Sequence, residues 1–160
     1  TENTLKLSEI TSYKASTLNM NDVIEEGKYI VYGANSIVGN ANTYISKNPY
    51  ISIVKDGAGV GRVFKCNEET NILGTMGCIN IGSEVDIDFV FNFMNNINWN
   101  KYITGSTIPH VYYSDFKNIK VPNITLQKQK KIGNLLSSMD KLINNYFILF
   151  FYHFNNQLHV

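Results

Sequence analysis

The feature that most constrains this chain is a long helical pattern near its C-terminal end. From Ile132 onward, apolar residues recur in alternating steps of three and four, the a/d spacing of a coiled-coil seam. The seam consists of Ile132, Leu135, Met139, Leu142, Tyr146 and Leu149. A helix from Gln127 to about Phe154 would be roughly 40 Å long. The preceding residues form too small a domain to cover such a helix, so we expect part of it to project.

A second apolar stripe runs beside the seam on the same predicted helix. Its members are Leu136, Ile143, Phe147, Phe150 and Phe154. Burying one Leu or Ile side chain contributes roughly 1.5–3 kcal/mol, and two solvent-exposed stripes would form a large apolar patch. We therefore expect one stripe to dock on the chain's own domain and the other on a partner helix. A helix buried wholly within its own domain is the alternative.

The residues before this helix carry strand patterns and one further helix. Apolar, β-branched runs bounded by turn residues predict strands. These runs are Tyr29–Tyr32, Tyr50–Val54, Arg62–Phe64 and Cys78–Ile81, the third returning from the second as a hairpin. Apolar residues on one face predict a helix from Asp86 to about Asn98, with Asp86 or Asp88 as its cap. Short strands with one helix, then a strand and a long helix, indicate an α+β domain with a helical arm.

The composition limits which partners the chain can have. Its 160 residues carry a net charge of only +1, and 17% of them are charged. Without a global basic field, a stand-alone, non-specific nucleic-acid binder is disfavoured. A module that reads bases while a partner supplies most backbone contacts remains compatible with this charge.

Metal sites and membrane spans are not expected. Cys66 and Cys78 are isolated in the sequence, so we expect free thiols and no zinc site. The apolar run from Tyr146 to Phe154 covers nine residues, whereas a membrane helix needs about 20. Residues 1–10 lack the layout of a signal peptide. We therefore expect a soluble, cytoplasmic protein with no membrane partner.

Two patterns resemble catalytic or phosphate-binding motifs. The glycines from Gly57 to Gly61 resemble a phosphate loop, but a strand pattern follows them where a phosphate loop requires a helix. A tight hairpin is the favoured interpretation. Ser106, His110 and Asp115 have the residue types of a catalytic triad, but nothing in their spacing fixes triad geometry. No adenosylmethionine-binding, helicase or nuclease motif is present, so we expect no catalytic residue and no cofactor.

Four segments in the second half of the chain have a characteristic order and spacing. They are Gly105-Ser106-Thr107, Ile119-Lys120-Val121-Pro122, the L-x-x-Q-x-x-I segment Leu126–Ile132 and the L-x-x-x-D-x-x-I segment Leu136–Ile143. Taken in this order, they resemble the conserved region of type I restriction-modification specificity subunits. The segments Tyr32-Gly33 and Lys55-Asp56-Gly57 also fit a target-recognition domain of that family. One departure is that Gln127 and Lys128 stand where the family usually has acidic residues.

The resemblance implies a fold and a role. It implies an α+β fold, with a target-recognition domain at residues 1–122 built on a mixed or antiparallel twisted sheet. Residues 123–160 would form a long helix that pairs as an antiparallel coiled-coil spacer. The chain would be a half subunit or a fragment that pairs with a second copy or a second half-subunit. It would read one half of a bipartite target in double-stranded DNA.

The resemblance also implies partners and contact residues. A methyltransferase subunit would bind and methylate adenine, a restriction subunit would join for cleavage, and the chain itself would perform no chemistry. The candidate DNA contacts are Asn35, Ser36, Lys55, Asp56, Arg62, Ser106, Thr107 and His110. Two alternatives stay open: the DNA-recognition fragment of a fused restriction-methyltransferase enzyme, and a structural dimerisation module.

Overall fold

The computed structural model describes residues 3–157, with side chains as far as Phe151, and it confirms the predicted α+β class. The strands are β1 Thr4–Lys6, β2 Thr11–Ala15, β3 Tyr29–Tyr32, β4 Ile37–Ala41, β5 Tyr50–Val54, β6 Val63–Cys66, β7 Asn71–Ile72, β8 Met76–Ile81 and β9 Lys120–Pro122. The helices are α1 Leu7–Ile10, α2 Ile87–Asn95, α3 Tyr113–Phe116 and α4 Leu126–Gln157.

The largest sheet is antiparallel, with strand order β2-β8-β5-β6. Every residue of β5 is buried, because successive side chains of a strand point to opposite faces and both faces are covered here. Ile51 and Ile53 join a core cluster that includes α2, whereas Tyr50 and Val54 join a second cluster on the other face. The hairpin predicted for Arg62–Phe64 is confirmed, since β6 pairs antiparallel with β5.

Two smaller sheets complete the domain. In one, β3 pairs antiparallel with β4 and parallel with β7. In the other, β1 pairs antiparallel with β9, so that Thr4 lies opposite Pro122. The side-chain amide of Asn123 extends this pairing by donating to Asn3 Oδ1 at 2.9 Å. The first described strand therefore lies beside the strand that leads into the long helix.

Helix α2 begins where the sequence predicts and ends earlier. The Asp86 carboxylate caps it by accepting the Phe89 N–H at 2.9 Å, which satisfies one of the free amides of the first turn. The helix ends at Asn95, three residues before the predicted Asn98.

Helix α4 docks on the start of α2 through an amide and a glycine. Gln129 is buried; its Oε1 accepts the Asp86 N–H at 2.9 Å and its Nε2 donates to the Ile124 carbonyl at 2.9 Å. One turn on, a Cβ added to Gly133 would lie 2.6 Å from Asp86 Oδ1 and 3.0 Å from the Phe89 nitrogen. The two helices can approach this closely only because position 133 has no side chain.

Helix α4 stays beside the domain as far as Asn144, where it lines a cavity with Phe91 and Asn95 of α2, and it projects beyond that point, as predicted. Residues 138–151 are all exposed. Every seam residue is exposed in the single chain, and Leu135 reaches 63% and Tyr146 74%. The expectation that one stripe docks on the domain is correct only at Leu136, the one half-buried residue among the described members of the second stripe. Phe154 lies outside the described side chains.

The two cysteines are free, as expected, and both are buried. The Cys66 thiol donates to Ser52 Oγ at 3.3 Å, and burial raises the pKa of the Cys78 thiol to about 12. Within residues 3–157, no helix is long and apolar enough to cross a membrane. No cluster of side chains suited to a metal ion occurs in the described part of the chain.

Gln129→Leu is expected to lower the free energy of unfolding by about 1–3 kcal/mol, because the half-buried Asp86 N–H would lose its acceptor. Chemical denaturation followed by circular dichroism would measure this change. Gln127→Leu is the matched control, since Gln127 is exposed on the same turn of α4, and it should shift stability by less than about 0.5 kcal/mol. Equal effects of the two substitutions would contradict a special role for Gln129.

Candidate nucleic-acid interface

The eight candidate DNA contacts lie on three loops at one end of the domain. Residues 33–36 connect β3 to β4, residues 55–62 connect β5 to β6, and residues 104–111 precede α3. We call these segments the three loops. Backbone and side-chain hydrogen bonds join them, although they lie far apart in the sequence.

Backbone hydrogen bonds fix the second and third of the three loops together. Gly57 donates its N–H to the Pro109 carbonyl at 2.9 Å, and Val111 donates to the Lys55 carbonyl at 2.9 Å. Thr104 and His110 exchange two backbone hydrogen bonds of 2.9 and 2.8 Å, which close the third loop on itself. The loop that carries Ser106 and Thr107 is therefore anchored directly beside Lys55 and Asp56.

A side-chain hydrogen bond joins the first loop to the second. The Arg62 guanidinium donates from Nη2 to Asn35 Oδ1 at 2.8 Å. The first loop is itself closed by a 2.8 Å hydrogen bond from the Gly33 N–H to the Ser36 carbonyl. Asn35 and Ser36 also line a cavity of about 300 Å³ against β5 and β6. This bridge places Asn35 and Arg62 on one surface.

The charges of this surface are unevenly compensated. Lys55 Nζ lies 2.5 Å from Asp56 Oδ2, and Lys65 on β6 forms an ion pair with Asp88 at the start of α2. Arg62 bonds only neutral acceptors among the described residues, namely Asn35 Oδ1 and, at 3.4 Å, the Gly59 carbonyl. Its positive charge is therefore the one that this surface offers to an anionic or acceptor-rich ligand.

The glycines of the second loop make a tight hairpin, as the sequence predicts. Gly57 and Gly61 have φ angles of +91° and +87°, a region that side chains other than glycine rarely adopt. A Cβ at Gly61 would lie 2.7 Å from the Trp99 Cβ. Strand β6 follows directly, so the loop lacks the helix N-terminus that a phosphate loop needs.

The third loop carries exposed hydroxyl groups, and its His110 ring lies against the ring of Tyr112, tilted by 55°. Ser106 and Thr107 are exposed at its tip. The His110 ring lies 4.7 Å from the Tyr112 ring, centroid to centroid. Tyr112 is 55% exposed, and sequence reasoning missed it because an exposed and a buried tyrosine look alike in a sequence.

The structure does not assemble the catalytic triad considered for Ser106, His110 and Asp115. The His110 Nδ1 lies 3.2 Å from the Ile108 carbonyl. The Asp115 carboxylate accepts from the Tyr112 N–H at 3.3 Å and from the Ser114 hydroxyl at 3.2 Å. The imidazole and the carboxylate thus hold their own loop and the start of α3 in place.

The fold and this surface together define an α+β domain that carries three joined loops and is followed by a long helix. No curated protein matches the chain. A family model does, and it covers nearly all the described residues. The chain belongs to the type I restriction modification DNA specificity domain family, whose model matches residues 3–148.

Solved structures share the fold. The type I restriction-modification S subunit from M. genitalium is 20% identical, with a TM-score of 0.71, over 91% of this chain and 40% of that chain. A chain from a structure on complex assembly and conformational transition of the type I R-M system is 13% identical, with a TM-score of 0.71, over 89% of this chain and 39% of that chain. The HsdS subunit from Thermoanaerobacter tengcongensis is 12% identical, with a TM-score of 0.66, over 89% of this chain and 38% of that chain. At these identities the likeness shows the fold alone, and the chain spans about two-fifths of these proteins' length.

Proposed function

We propose that this chain reads one half of a bipartite target in double-stranded DNA, within a type I restriction-modification system. The observation that carries the proposal is the convergence of the three loops, where Arg62 bridges two of them. The loops present amide, hydroxyl, imidazole and guanidinium groups, which are the groups that bond base edges and phosphates. Membership of a DNA specificity family supports the same interpretation.

The exposed helix supports separate roles for the domain and for α4. The seam of α4 is exposed in the single chain, and an apolar face of this size favours a partner helix. We propose that the recognition domain, residues 1–122, is set at one end of a spacer formed by residues 123–160 and a second copy or half-subunit. A methyltransferase subunit and a restriction subunit would dock on this assembly in the cytoplasm and supply the chemistry. The chain itself would bind DNA without a cofactor of its own.

Arg62→Ala and Lys55→Ala are expected to weaken DNA binding by the assembled complex by about 1–3 kcal/mol each. Loss of Arg62 removes the positive charge that has no carboxylate partner. Loss of Lys55 leaves the Asp56 carboxylate unpaired, and that negative charge would then repel the DNA phosphates. The measurement is a titration of labelled target duplex with the full-length protein in complex with its methyltransferase subunit. The duplex is first identified by mapping methylated adenines in genomic DNA.

Thermal unfolding and a distant lysine control this experiment. Both altered side chains lie on loops, so the unfolding temperature should stay within a few degrees of the wild type. Lys117→Ala removes an exposed cation outside the three loops and should leave binding unchanged. Undiminished binding by both loop variants would remove the three loops from the recognition surface.

A structural dimerisation module is the second candidate, because the exposed seam alone would serve that role. The two functions differ in one observable. A wild-type complex that pairs through α4 and binds all duplexes equally, whatever their sequence, would favour the dimerisation module over the recognition subunit.

A further inference from the structure

We propose that Arg62 and Asn35 act as one unit that reads guanine in the major groove. This inference rests on the proposed function and adds to it the base that one pair of side chains selects. Four observations carry it: the direction of the bond between the two residues, the donors left free, the charge of Arg62 and the anchoring of the loops.

The direction of the bond between the two side chains is fixed by chemistry. A guanidinium group has five N–H donors and no acceptor. The 2.8 Å contact between Arg62 Nη2 and Asn35 therefore requires the amide oxygen of Asn35 to face Arg62. The amide nitrogen, with its two N–H groups, is the part of Asn35 left for a ligand.

The donors that remain on Arg62 form a fork. Its Nε points to the Gly59 carbonyl at 3.4 Å and its Nη2 to Asn35 at 2.8 Å. Two of the five N–H groups are used in this way. Nη2 keeps one N–H and Nη1 keeps both, since the described residues offer Nη1 no acceptor. Two adjacent nitrogens therefore each retain a donor, which is the geometry of a bidentate contact.

The pair as a whole presents mainly donors, because the free N–H groups of Arg62 and Asn35 outnumber the one lone pair left on Asn35 Oδ1. In the major groove, guanine shows two acceptors, N7 and O6. Adenine and cytosine each place an amino donor there, and thymine places a single acceptor beside a methyl group. Adenine and cytosine would oppose donor to donor, and thymine would leave one arm of the fork unpaired. Guanine alone matches both arms.

The unit is held in position before DNA binds. Both residues are exposed, yet the Gly59 carbonyl and Asn35 hold the guanidinium over the glycine hairpin. The hairpin is anchored to the third loop by the 2.9 Å bond from Gly57 to Pro109. Holding a rotamer-rich side chain in place reduces the ordering cost of binding. Lys55 and Lys65 have carboxylate partners, so Arg62 is the cation best suited to a base contact.

The test uses the full-length protein in complex with its methyltransferase subunit. Mapping of methylated adenines gives the target, and duplexes with single base-pair changes then give the preference at each position. Wild-type complex should require a G·C pair in the half-site. Arg62→Lys keeps the charge and removes the fork, and it should lower the preference for that one pair by about 5- to 150-fold. Asn35→Ala should lower the preference at the same pair and at no other.

The outcomes separate this proposal from the broader one. Two outcomes would overturn the guanine assignment and leave the proposed DNA recognition intact. One is a half-site made only of A·T pairs. The other is an Arg62→Lys variant that loses the same amount of binding affinity whichever base pair of the half-site is changed. A wild-type complex with no sequence preference would overturn both. Arg62→Gln is a second variant if Arg62→Lys unfolds, since Gln has one donor nitrogen where the fork has two. It too should lose preference at that one pair.

Discussion

Leu135→Asp combined with Leu142→Asp is expected to convert a paired assembly into single chains. The two leucines are 63% and 59% exposed in the single chain, so their burial would come from a partner. In a symmetric pair four leucines would be lost, at roughly 1.5–3 kcal/mol each, and four carboxylates would enter an apolar seam. The dissociation constant should rise by at least about 10⁴-fold. Analytical ultracentrifugation over a range of concentrations would measure it.

The matched control adds the same charge off the seam. Gln127 and Asn134 are exposed, are seven residues apart as the two leucines are, and lie outside both apolar stripes. Gln127→Asp with Asn134→Asp should leave association intact. The thermal stability of the recognition domain should not change in either double variant, because all four positions lie on exposed surface. A wild-type protein that is monomeric at high concentration would remove the pairing from the proposed function.

Gly133→Leu is expected to separate α4 from α2 and to lower the free energy of unfolding by about 3 kcal/mol or more. A Cβ at this position would already lie 2.6 Å from Asp86 Oδ1 and 2.9 Å from the Asp88 Cβ, and leucine adds three further carbons. Overpacking alone costs about 1–3 kcal/mol. The shift would also break the Gln129 hydrogen bond to Asp86, at a similar cost. Denaturant unfolding measures the loss, and hydrogen exchange of the amides of α4 locates it.

Two comparisons make this result specific. Asn134→Leu places the same side chain one residue further on, at an exposed position, and should cost little. Gly133→Ala adds only a Cβ, so its clash with α2 is smaller, and it gains about 1 kcal/mol of helix propensity. It should therefore lower the free energy of unfolding much less than Gly133→Leu does. Equal stability of Gly133→Leu and Asn134→Leu would show that the close contact between the helices is unimportant.

The strands that were predictable are those whose own residues determine them. Tyr29–Tyr32 and Tyr50–Val54 are apolar, β-branched runs bounded by turn residues, and both are strands with the predicted bounds. Strands β1, β2, β4 and β7 were not predicted. Strand β7 has two residues and pairs in parallel with β3, where Val31 lies opposite Asn71. A pairing across forty residues depends on the tertiary fold and leaves no periodic signal in either segment.

Apolar periodicity predicted helix α4 and its apolar stripes but not the residues through which α4 contacts α2. The described residues of both stripes from Met139 onward are exposed in the single chain, but the contact with α2 uses Gln129 and Gly133. An amide that satisfies a helix-terminal N–H and a glycine that allows close approach have no hydrophobic signature. The Gln of the family pattern pointed to this position but did not reveal its role.

The sequence allowed the loops of the candidate site to be located, but it did not show that they meet on one surface. Gly, Asn, Ser and Lys in turns mark the three loops individually. Their convergence depends on backbone bonds such as the one from Gly57 to Pro109, which join segments about fifty residues apart. The Arg62–Asn35 bridge crosses 27 positions and could be seen only in three dimensions.

The pairing of β1 with β9 has a consequence for how such a protein diversifies. Because Thr4 lies opposite Pro122, the chain enters and leaves the recognition domain at neighbouring points. Domains with adjacent ends tolerate replacement or insertion as whole units. Under the proposed function, exchanging this domain for another at those two points would change the half-site that is read and leave helix α4 unaltered.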